Sequence, residues 1–323
     1  MTDSFRQLPG LHYSRCTFTL RLLQDAQFPR VKGSMFRGAF GHAFRSTVCF
    51  TRMPVCNDCS LKSQCSYFRI FETEVPGNAV WFLRGIKKTP HPFIFSTHHL
   101  GEQEYRKDDL IPIHVTIFGD PVQLFPFFTL AFLRMGDIGV SVRKHRFTLE
   151  SVEVHGYAAT PLHLYRDGKI HPLPVEMLQN IPFPTQGGEY PEKVQVQLNS
   201  HLALQKAARV ITRPVELTPD VLLNAMARRY YGLLHLFGNP PETGYLNPLE
   251  GAAPSLDATN LWYDRWDRYS NRFGGKMTFG GFLGSFSINL TSPLQWQLLQ
   301  ACSITALGKN TVFGSGQYTL KAL

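Results

Sequence analysis

The fold of this chain is decided by residues 13–49, YSRCTFTLRLLQDAQFPRVKGSMFRGAFGHAFRSTVC. The first part, Tyr13 to Leu23, alternates along the chain and is rich in aromatic and β-branched residues, which is typical of a β-strand. Phe28-Pro29 then turns the chain. Apolar residues recur at a spacing of three and four from Lys32 to Cys49, which predicts a helix. A strand followed by a helix is the opening of a βαββαβ unit.

The predicted helix has two different faces. Each residue turns the helix by about 100°, so the apolar side chains share one side: Phe36, Ala39, Phe40, Ala43 and Phe44. The other side carries Arg37, Gly38, Gly41, His42 and Arg45. The helix is therefore amphipathic, with a basic, glycine-notched outer face. The two glycines leave room there for another backbone, either of a ligand or of the C-terminal glycine loop.

The rest of the chain completes this order of elements once and then repeats it in a second half. In the first half, strands are predicted near residues 67–75, 92–96, 110–118 and 146–155, with a helix near 121–135. In the second half, strands are predicted at 194–198, 261–273, 276–290 and 311–320, with helices at 218–237 and 294–306. We therefore predict an α+β fold of two tandem ferredoxin-like (RRM-like, βαββαβ) domains. The predicted boundaries are 1–158 for the N-terminal domain, 49–66 for a cysteine-rich insertion after its first helix, 159–190 for a linker with a hairpin, and 191–323 for the C-terminal domain.

Composition excludes several classes of protein. The chain has 323 residues, of which 43% are hydrophobic and 18% charged, so it can bury a core and is not globally disordered. Its formal net charge is +9, which favours an anionic partner, nucleic acid before membrane. Apolar runs stay well below the ~18 residues of a membrane helix. The N-terminus lacks a signal-peptide pattern, and we expect a cytoplasmic protein without structural disulfides.

Four cysteines form a C-x6-C-x2-C-x5-C array: Cys49, Cys56, Cys59 and Cys65. Four thiolates within so short a stretch can bind one tetrahedral zinc ion, and the two-residue spacing of the middle pair is that of a zinc knuckle. An iron–sulfur cluster and plain partly buried thiols are the alternatives. We expect structural zinc that stabilises the insertion and takes no part in catalysis. Cys16 and Cys302 stand alone and are predicted to be core residues.

Glycine-rich stretches occur at residues 279–284 and 308–318. Glycines allow a backbone to approach a phosphate closely, and Lys309 would add a positive charge. The pattern matches neither a Walker loop nor a dinucleotide-binding fingerprint. A contact with RNA phosphates and an ordinary turn are both open interpretations.

Five separate motifs are similar to those of one known family. They are Phe28-Pro29-x-x-Lys32-Gly33-Ser34-x-x-Arg37-Gly38-Ala39-Phe40-Gly41-His42, the cysteine array ending in Cys65-Ser66-Tyr67, Pro90-His91-Pro92-Phe93, Arg268-Tyr269-Ser270-Asn271-Arg272, and Gly308-Lys309-x-Thr311-x-Phe313-Gly314-x-Gly316-x-Tyr318. Together they resemble the CRISPR precursor-RNA-processing endoribonucleases of the RAMP superfamily. The resemblance implies two ferredoxin-like domains and metal-independent cleavage of CRISPR repeat RNA, which leaves a 5′-hydroxyl and a 2′,3′-cyclic phosphate. The implied partners are repeat RNA or crRNA and other subunits of a CRISPR effector complex.

The resemblance also selects candidate site residues. Metal-free cleavage needs a group that removes a proton from the 2′-hydroxyl, a group that protonates the leaving oxygen, and a cation beside the phosphate. The candidate catalytic residues are His42, Lys309 and Tyr318. The candidate RNA-binding residues are Lys32, Arg37, Arg45, Arg268, Arg272, Lys276, Gly308, Gly314 and Gly316. The remaining histidines show no constellation in the sequence.

One position departs from the family pattern. Many relatives carry a histidine two residues before the closing Gly-Lys, where this chain has Ala306. Two readings follow: an active endoribonuclease that depends on His42, and a RAMP subunit that holds crRNA without cutting it. An unrelated zinc-bearing scaffold protein is a third reading, and it predicts no preferential affinity for RNA.

Overall fold

The structure is a computed structural model that describes residues 7–75, 80–86, 89–101, 103–157, 160–181, 189–241, 245–270 and 275–323. In its first half the strands are β1 (Leu11–Leu22), β2 (Ala26–Gln27), β3 (Phe93–Ser96), β4 (Glu104–Tyr105), β5 (Leu110–Phe118), β6 (Phe147–His155), β7 (Leu162–Arg166), β8 (Lys169–Ile170) and β9 (Gln179–Ile181). The helices of this half are α1 (Gly33–Val48), α2 (Ser66–Phe71) and α3 (Phe125–Ile138).

The first half is built on one antiparallel sheet. Its strand order is β3-β5-β1-β6, continued by β7 and β8, and β9 pairs with the start of β1. The first strand of the βαββαβ unit is thus central, between the third and the fourth, as in ferredoxin-like folds. The short strands β2 and β4 pair separately.

The second half repeats this arrangement. Its elements are β10 (Lys193–Leu198), β11 (Gln205–Lys206), β12 (Arg209–Val210), α4 (Pro219–Phe237), β13 (Ser255–Asp257), β14 (Leu261–Ser270), β15 (Gly275–Asn289), α5 (Pro293–Thr305) and β16 (Tyr318–Ala322). The strand order is β13-β15-β10-β16, and β14 pairs with β15 along its whole length. The predicted fold class, two tandem ferredoxin-like units, is confirmed; the exact domain boundaries stay a prediction.

Phenylalanines fill the core of the first half. On α1, the side chains of Phe36, Phe40 and Phe44 are completely buried, as the helix periodicity predicts. Phe40 and Phe44 pack with Phe128 of α3, and Phe40 also packs with Phe71 of α2, ring against ring, while Phe36 meets the ring of Phe28. Burial of these apolar rings is the main force that fixes α1, and with it the polar face of α1, on the sheet.

A second core joins the two halves. It combines Leu11, Tyr13 and Phe118 of the first sheet with the buried face of α4 and with the second sheet. Close backbone contacts add to this interface. A Cβ atom on Gly33 would lie 1.8 Å from the carbonyl oxygen of Phe313, so the start of α1 rests directly on the glycine-rich C-terminal segment.

Two sequence predictions about secondary structure were wrong. The strand predicted at 67–75 is the helix α2, in which the Tyr67 and Phe71 rings stack four residues apart at 4.7 Å. A short apolar run does not show by itself whether it is strand or helix. The strand predicted at 311–320 begins only at Tyr318, because Asn310, Gly314 and Gly316 have positive φ angles that break an extended chain.

The lone cysteines Cys16 and Cys302 are completely buried in the two cores, as predicted. Of the helices that the structure describes, none combines the length and the apolar character needed to cross a membrane.

Candidate functional site

A large cleft of about 1840 Å³ lies where α1, the glycine-rich C-terminal segment, α4 and β14 meet. Its walls carry eight basic side chains and three acidic ones. The basic residues are Arg30, Arg37, Arg45, Lys144, Lys206, Arg228, Arg229 and Lys309. The acidic residues are Glu72, Asp220 and Asp267. Because the concave wall concentrates this positive excess, the cleft attracts a polyanion such as a nucleic acid backbone.

His42 is exposed on the outer face of α1 and lines this cleft. No other residue in the described parts of the chain forms a hydrogen bond with its imidazole. An imidazole can act as a general acid or a general base, and this one faces the cleft. The structure thus brings five of the predicted catalytic and RNA-binding residues to the walls of one cleft: Arg37, His42, Arg45, Gly308 and Lys309.

Arg37 is held in a fixed position on the wall of the cleft. Its guanidinium lies over the ring of Phe71 at 4.9 Å, and Nη2 is 3.4 Å from Nε2 of His91. The other ring nitrogen of His91, Nδ1, lies 3.0 Å from the carbonyl oxygen of Ile70. Since Nδ1–H donates to that carbonyl, Nε2 of the neutral ring is left as an acceptor for Arg37. His91, which reads in the sequence as part of a rigid turn, is therefore a positioning residue for Arg37.

Arg45 connects α1 to the cysteine-rich insertion. Its Nη2 donates hydrogen bonds to the carbonyl oxygens of Met53 and Pro54, and its guanidinium lies 5.6 Å from the ring of Tyr67. These contacts hold the insertion at the rim of the cleft. Arg45 still lines the cleft and stays partly exposed, and its hydrogen bonds go to the insertion.

The four cysteines of the insertion are partly buried and lie on one segment. The hydroxyl of Thr51 is 3.4 Å from Sγ of Cys59 and 4.0 Å from Sγ of Cys49. Partial burial raises the pKa of the Cys49 thiol, but hydrogen bonds from Arg52, Thr51 and Arg45 outweigh it, and the net pKa is below its ordinary value. In the described residues, no three His, Cys, Asp or Glu side chains are placed to hold a metal ion.

The donor set of these cysteines suits zinc, but this arrangement does not form the tetrahedral site that the spacing predicts. The sequence prediction of a metal bound by Cys49, Cys56, Cys59 and Cys65 therefore lacks support from the geometry and stays a prediction.

Lys32 does not have the role that the sequence predicted. Only 1% of this residue is exposed, its Nζ donates a hydrogen bond to the carbonyl oxygen of Leu100 at 2.9 Å, and its ammonium lies 5.9 Å from the ring of Tyr105. A buried ammonium needs such partners, and Lys32 fixes the entry of α1 instead of binding phosphate.

Tyr318 is also unavailable to a substrate. It is 4% exposed, and its hydroxyl donates a hydrogen bond to the carbonyl oxygen of Leu299 at 2.8 Å. Burial raises the pKa of this phenol well above its ordinary value. The prediction that Tyr318 is catalytic was wrong, because β16 places this side chain in the core.

The glycines of the closing motif serve backbone packing. Gly308, Gly314 and Gly316 have φ angles of +87°, +82° and +76°. A Cβ atom on any of them would lie within 2.3 Å of a carbonyl oxygen: that of Ala203, Phe95 or Leu307, respectively. The predicted phosphate cradle is therefore not formed by these glycines. Their packing instead presents Lys309, which is exposed and lines the cleft.

Two family models match this chain. A family model described as CRISPR-associated endoribonuclease Cas6 matches residues 196–318, and a model described as an N-terminal domain matches residues 10–177. The two models extend over both ferredoxin-like halves. The C-terminal half of the chain therefore matches the Cas6 endoribonuclease family, which confirms the resemblance seen in the sequence. Among curated proteins, none matches the chain significantly.

Solved Cas6 structures share the fold at low sequence identity. A product complex of Thermus thermophilus Cas6 is 13% identical, with a TM-score of 0.52, and the match covers 96% of this chain and 99% of that one. A partial Cas6-RT-Cas1–Cas2 complex is 14% identical, with a TM-score of 0.54 and 99% coverage of this chain. The chain spans 47% of the length of that relative.

Ala306, where the resemblance seen in the sequence implies a histidine, is completely buried. It follows the last residue of α5 and has a φ angle of +55°, which is unfavourable for any side chain. The buried guanidinium of Arg229 donates two hydrogen bonds to the carbonyl oxygen of Thr305 just before it. A histidine introduced at this position would therefore enter the core rather than the cleft.

Three predicted RNA-binding residues lie where the structure gives no side-chain description. Arg272 falls outside the described residues, and only the backbone of Arg268 and Lys276 is described, in the paired strands β14 and β15. Their predicted role is not tested.

Sequence reasoning missed several residues of the cleft and one polar cluster. Arg30, Lys206, Arg228 and Trp266 line the cleft but belong to no motif that marks them. The cluster lies on the face of the first sheet that points away from α1: the hydroxyl of Thr17 is 2.9 Å from Nδ1 of His114 and 2.8 Å from Nε2 of His155. The ring of His99 lies 4.4 Å from that of His114. Only strand register brings these distant residues together.

Proposed function

We propose that this protein is a CRISPR repeat RNA endoribonuclease that cuts precursor crRNA by attack of the 2′-hydroxyl, without a metal ion in the chemical step. The observation that supports this proposal is the position of His42: an exposed imidazole on a basic cleft between two ferredoxin-like halves, in a chain whose C-terminal half matches the Cas6 family. The products would be a 2′,3′-cyclic phosphate and a 5′-hydroxyl.

The proposed reaction needs little covalent chemistry from the protein. The 2′-oxygen attacks phosphorus as its proton leaves, the bond from phosphorus to the 5′-oxygen breaks, and that oxygen receives a proton. His42 carries out one of these proton transfers. Arg37 and Lys309 supply positive charge for the phosphate oxygens, on which negative charge grows in the transition state. The cleft holds the 2′-oxygen in line with the leaving group.

A second candidate function is supported by two features of the site. Tyr318 is buried, and Ala306 stands where the resemblance implies a histidine, so the predicted catalytic set leaves one imidazole, that of His42, at the cleft beside Lys309. A protein with a single such group fits a RAMP subunit that holds crRNA and does not cut it. In that function, repeat RNA would bind tightly in the same basic cleft and remain intact.

Incubation of the protein with the repeat RNA of the source organism in EDTA distinguishes the two candidate functions. Cleavage within the repeat, with cyclic phosphate at the new 3′ end, supports the endoribonuclease. Tight binding without cleavage supports the crRNA-holding subunit, and weak binding of repeat RNA and control RNA alike rules out both.

We further propose crRNA and other CRISPR proteins as partners, and structural zinc at the cysteine-rich insertion. The first rests on the match to the Cas6 family and on the complexes in which similar chains are found. The second rests on the four thiolate donors, which would hold the ion at the rim of the cleft, where it would stabilise the insertion. Neither enters the chemical step.

A further inference from the structure

The wall of the cleft that β14 provides carries a row of packed rings. Trp266 lines the cleft, and its ring centroid is 4.1 Å from that of His201. The ring of Phe279, the cross-strand partner of Trp266, lies beside the indole and nearly parallel to it, with the centroids 5.8 Å apart. Phe279 in turn meets the ring of Phe313 edge-on. These contacts fix the orientation of the indole at the cleft surface.

A guanidinium from the other half of the protein lies next to this row. Nη2 of Arg30 donates a hydrogen bond to Oδ2 of Asp264 at 2.7 Å, while 56% of the arginine side chain remains exposed. Asp264 is two residues before Trp266 on β14, so their side chains are on the same face of the strand. Both Arg30 and Trp266 line the cleft.

A second hydrogen bond holds the carboxylate of Asp264 in place. The same carboxylate oxygen accepts a hydrogen bond from Nε2 of His201, at 2.8 Å, and His201 is 8% exposed. The hydrogen bond from His201, together with that from Arg30, lowers the pKa of the carboxyl group of Asp264, which is therefore ionised at neutral pH. An arginine has five N–H donors, and the bond to Asp264 leaves the others of Arg30 for the cleft.

We propose that Arg30 and Trp266 form a nucleotide-binding subsite of the cleft, with Asp264 as the positioning residue for Arg30. The indole stacks on one unpaired base, and the guanidinium binds the phosphate beside it. This pairing of an aromatic ring with a cation is the chemistry that binds single-stranded nucleic acid with little sequence preference. The bases of a duplex are already stacked on their neighbours, so the subsite selects a single-stranded nucleotide next to any hairpin in the substrate.

This subsite rests on the proposed function, because its ligand is the RNA in the cleft. It adds a substrate-positioning role for residues that carry out no proton transfer. The competing explanation is that the ring row and the ion pair only hold the two halves together. In that case, their removal would change stability without changing the contact with any one nucleotide.

The test combines variants of the protein with variants of the RNA. Binding of the repeat RNA of the source organism is measured for wild type and for Trp266→Ala, with a series of RNAs that each contain one abasic nucleotide. We expect Trp266→Ala to weaken binding about tenfold or more. One abasic position should weaken the wild type to the same extent and should cause no further loss with Trp266→Ala.

Trp262→Ala is the matched control. Trp262 is on the same face of β14, four residues earlier, and is 57% exposed, but it is not among the described residues that line the cleft. Its removal should leave binding unchanged. Arg30→Ala, a change at an exposed residue, should reduce the dependence of log Kd on log salt by about one phosphate contact. In the Arg30→Ala background, Asp264→Asn should have no further effect on binding.

Several results would overturn the subsite. One is a wild-type protein that tolerates an abasic nucleotide at every position, a measurement that does not depend on whether Trp266→Ala folds. Others are equal losses from Trp266→Ala and Trp262→Ala, or an unchanged salt dependence for Arg30→Ala. If the wild type does not bind the repeat RNA at all, the proposed function itself fails, and this result is distinct from the others.

Discussion

Replacing His42 with alanine should remove cleavage activity and leave the fold and RNA binding in place. His42 is exposed on α1, and its side chain packs against nothing in the core. Alanine is the better helix former of the two by a few tenths of a kcal/mol, roughly. The free energy of unfolding should therefore stay the same or rise slightly. A proton-transfer group contributes about 10²- to 10⁴-fold to a rate, and a 10²-fold loss corresponds to about 2.7 kcal/mol in the activation barrier.

The variant Tyr318→Phe should show the reverse pattern, a loss of stability without a loss of cleavage rate. The sequence places both residues in the catalytic set, but the hydroxyl of Tyr318 donates to the carbonyl oxygen of Leu299 in the core. Its removal should cost about 1 kcal/mol of stability, the net value of a typical hydrogen bond, and should not change the cleavage rate of the folded protein. The two variants thus separate a chemical role from a structural one.

The assay is single-turnover cleavage of repeat RNA with protein in excess, together with RNA affinity and urea unfolding of each variant. We expect a rate about 10²-fold or more below wild type for His42→Ala, with nearly unchanged affinity. A wild-type rate for His42→Ala would refute the catalytic assignment. A large loss of rate for Tyr318→Phe, without loss of stability, would show that the buried phenol takes part in the reaction after all.

Three further predictions concern other parts of the molecule. Lys309→Ala should weaken RNA binding and slow cleavage, because a phosphate-binding cation acts in the ground and transition states alike. Lys321→Ala, at an exposed position away from the cleft, is the control and should change neither RNA binding nor the cleavage rate. Burial, with His99 and His155 nearby, lowers the pKa of His114 to about 4 from 6.5. Since the unfolded chain then binds more protons between these values, stability should be full above pH 6.5 and fall as the pH drops to 4, by about 2 kcal/mol once solvent screening is allowed for. Urea unfolding from pH 7 to 4.5 measures this, and His114→Asn should flatten the profile. Elemental analysis should find about one zinc per chain, and the double variant Cys56→Ser/Cys59→Ser should lose it. Wild-type protein that contains no metal, and that is as stable with added zinc as without it, would contradict the zinc proposal.

Local patterns in the sequence were sufficient for most of the fold. The strand predicted at 110–118 is β5, with the same limits, and the helix predicted from Thr218-Pro219-Asp220 to Phe237 is α4. Both elements have clear periodicity and clear ends. The outer face of α1 was also predicted well around His42 and Arg37. The exception there is Gly41, which is buried 3.4 Å from the ring of Phe71 rather than open to a ligand.

The candidate site was harder to predict because it depends on contacts between distant residues. Lys32 appears in the sequence as a basic residue of a glycine-rich motif, but its partner is the carbonyl of Leu100, 68 residues away. Arg30 meets Asp264 across 234 residues. Neither contact leaves a periodic signal, so only the folded structure shows that one cation is buried and the other lies in the cleft.

The central claim is that a histidine in a basic cleft cuts repeat RNA without a metal ion. The most direct measurement is the incubation of wild-type protein with repeat RNA in excess EDTA, followed by analysis of the new RNA ends. We predict one cut within the repeat, with a 2′,3′-cyclic phosphate on one product and a 5′-hydroxyl on the other. Intact RNA in EDTA with cleavage restored by a divalent cation, or products with a 5′-phosphate, would contradict this account.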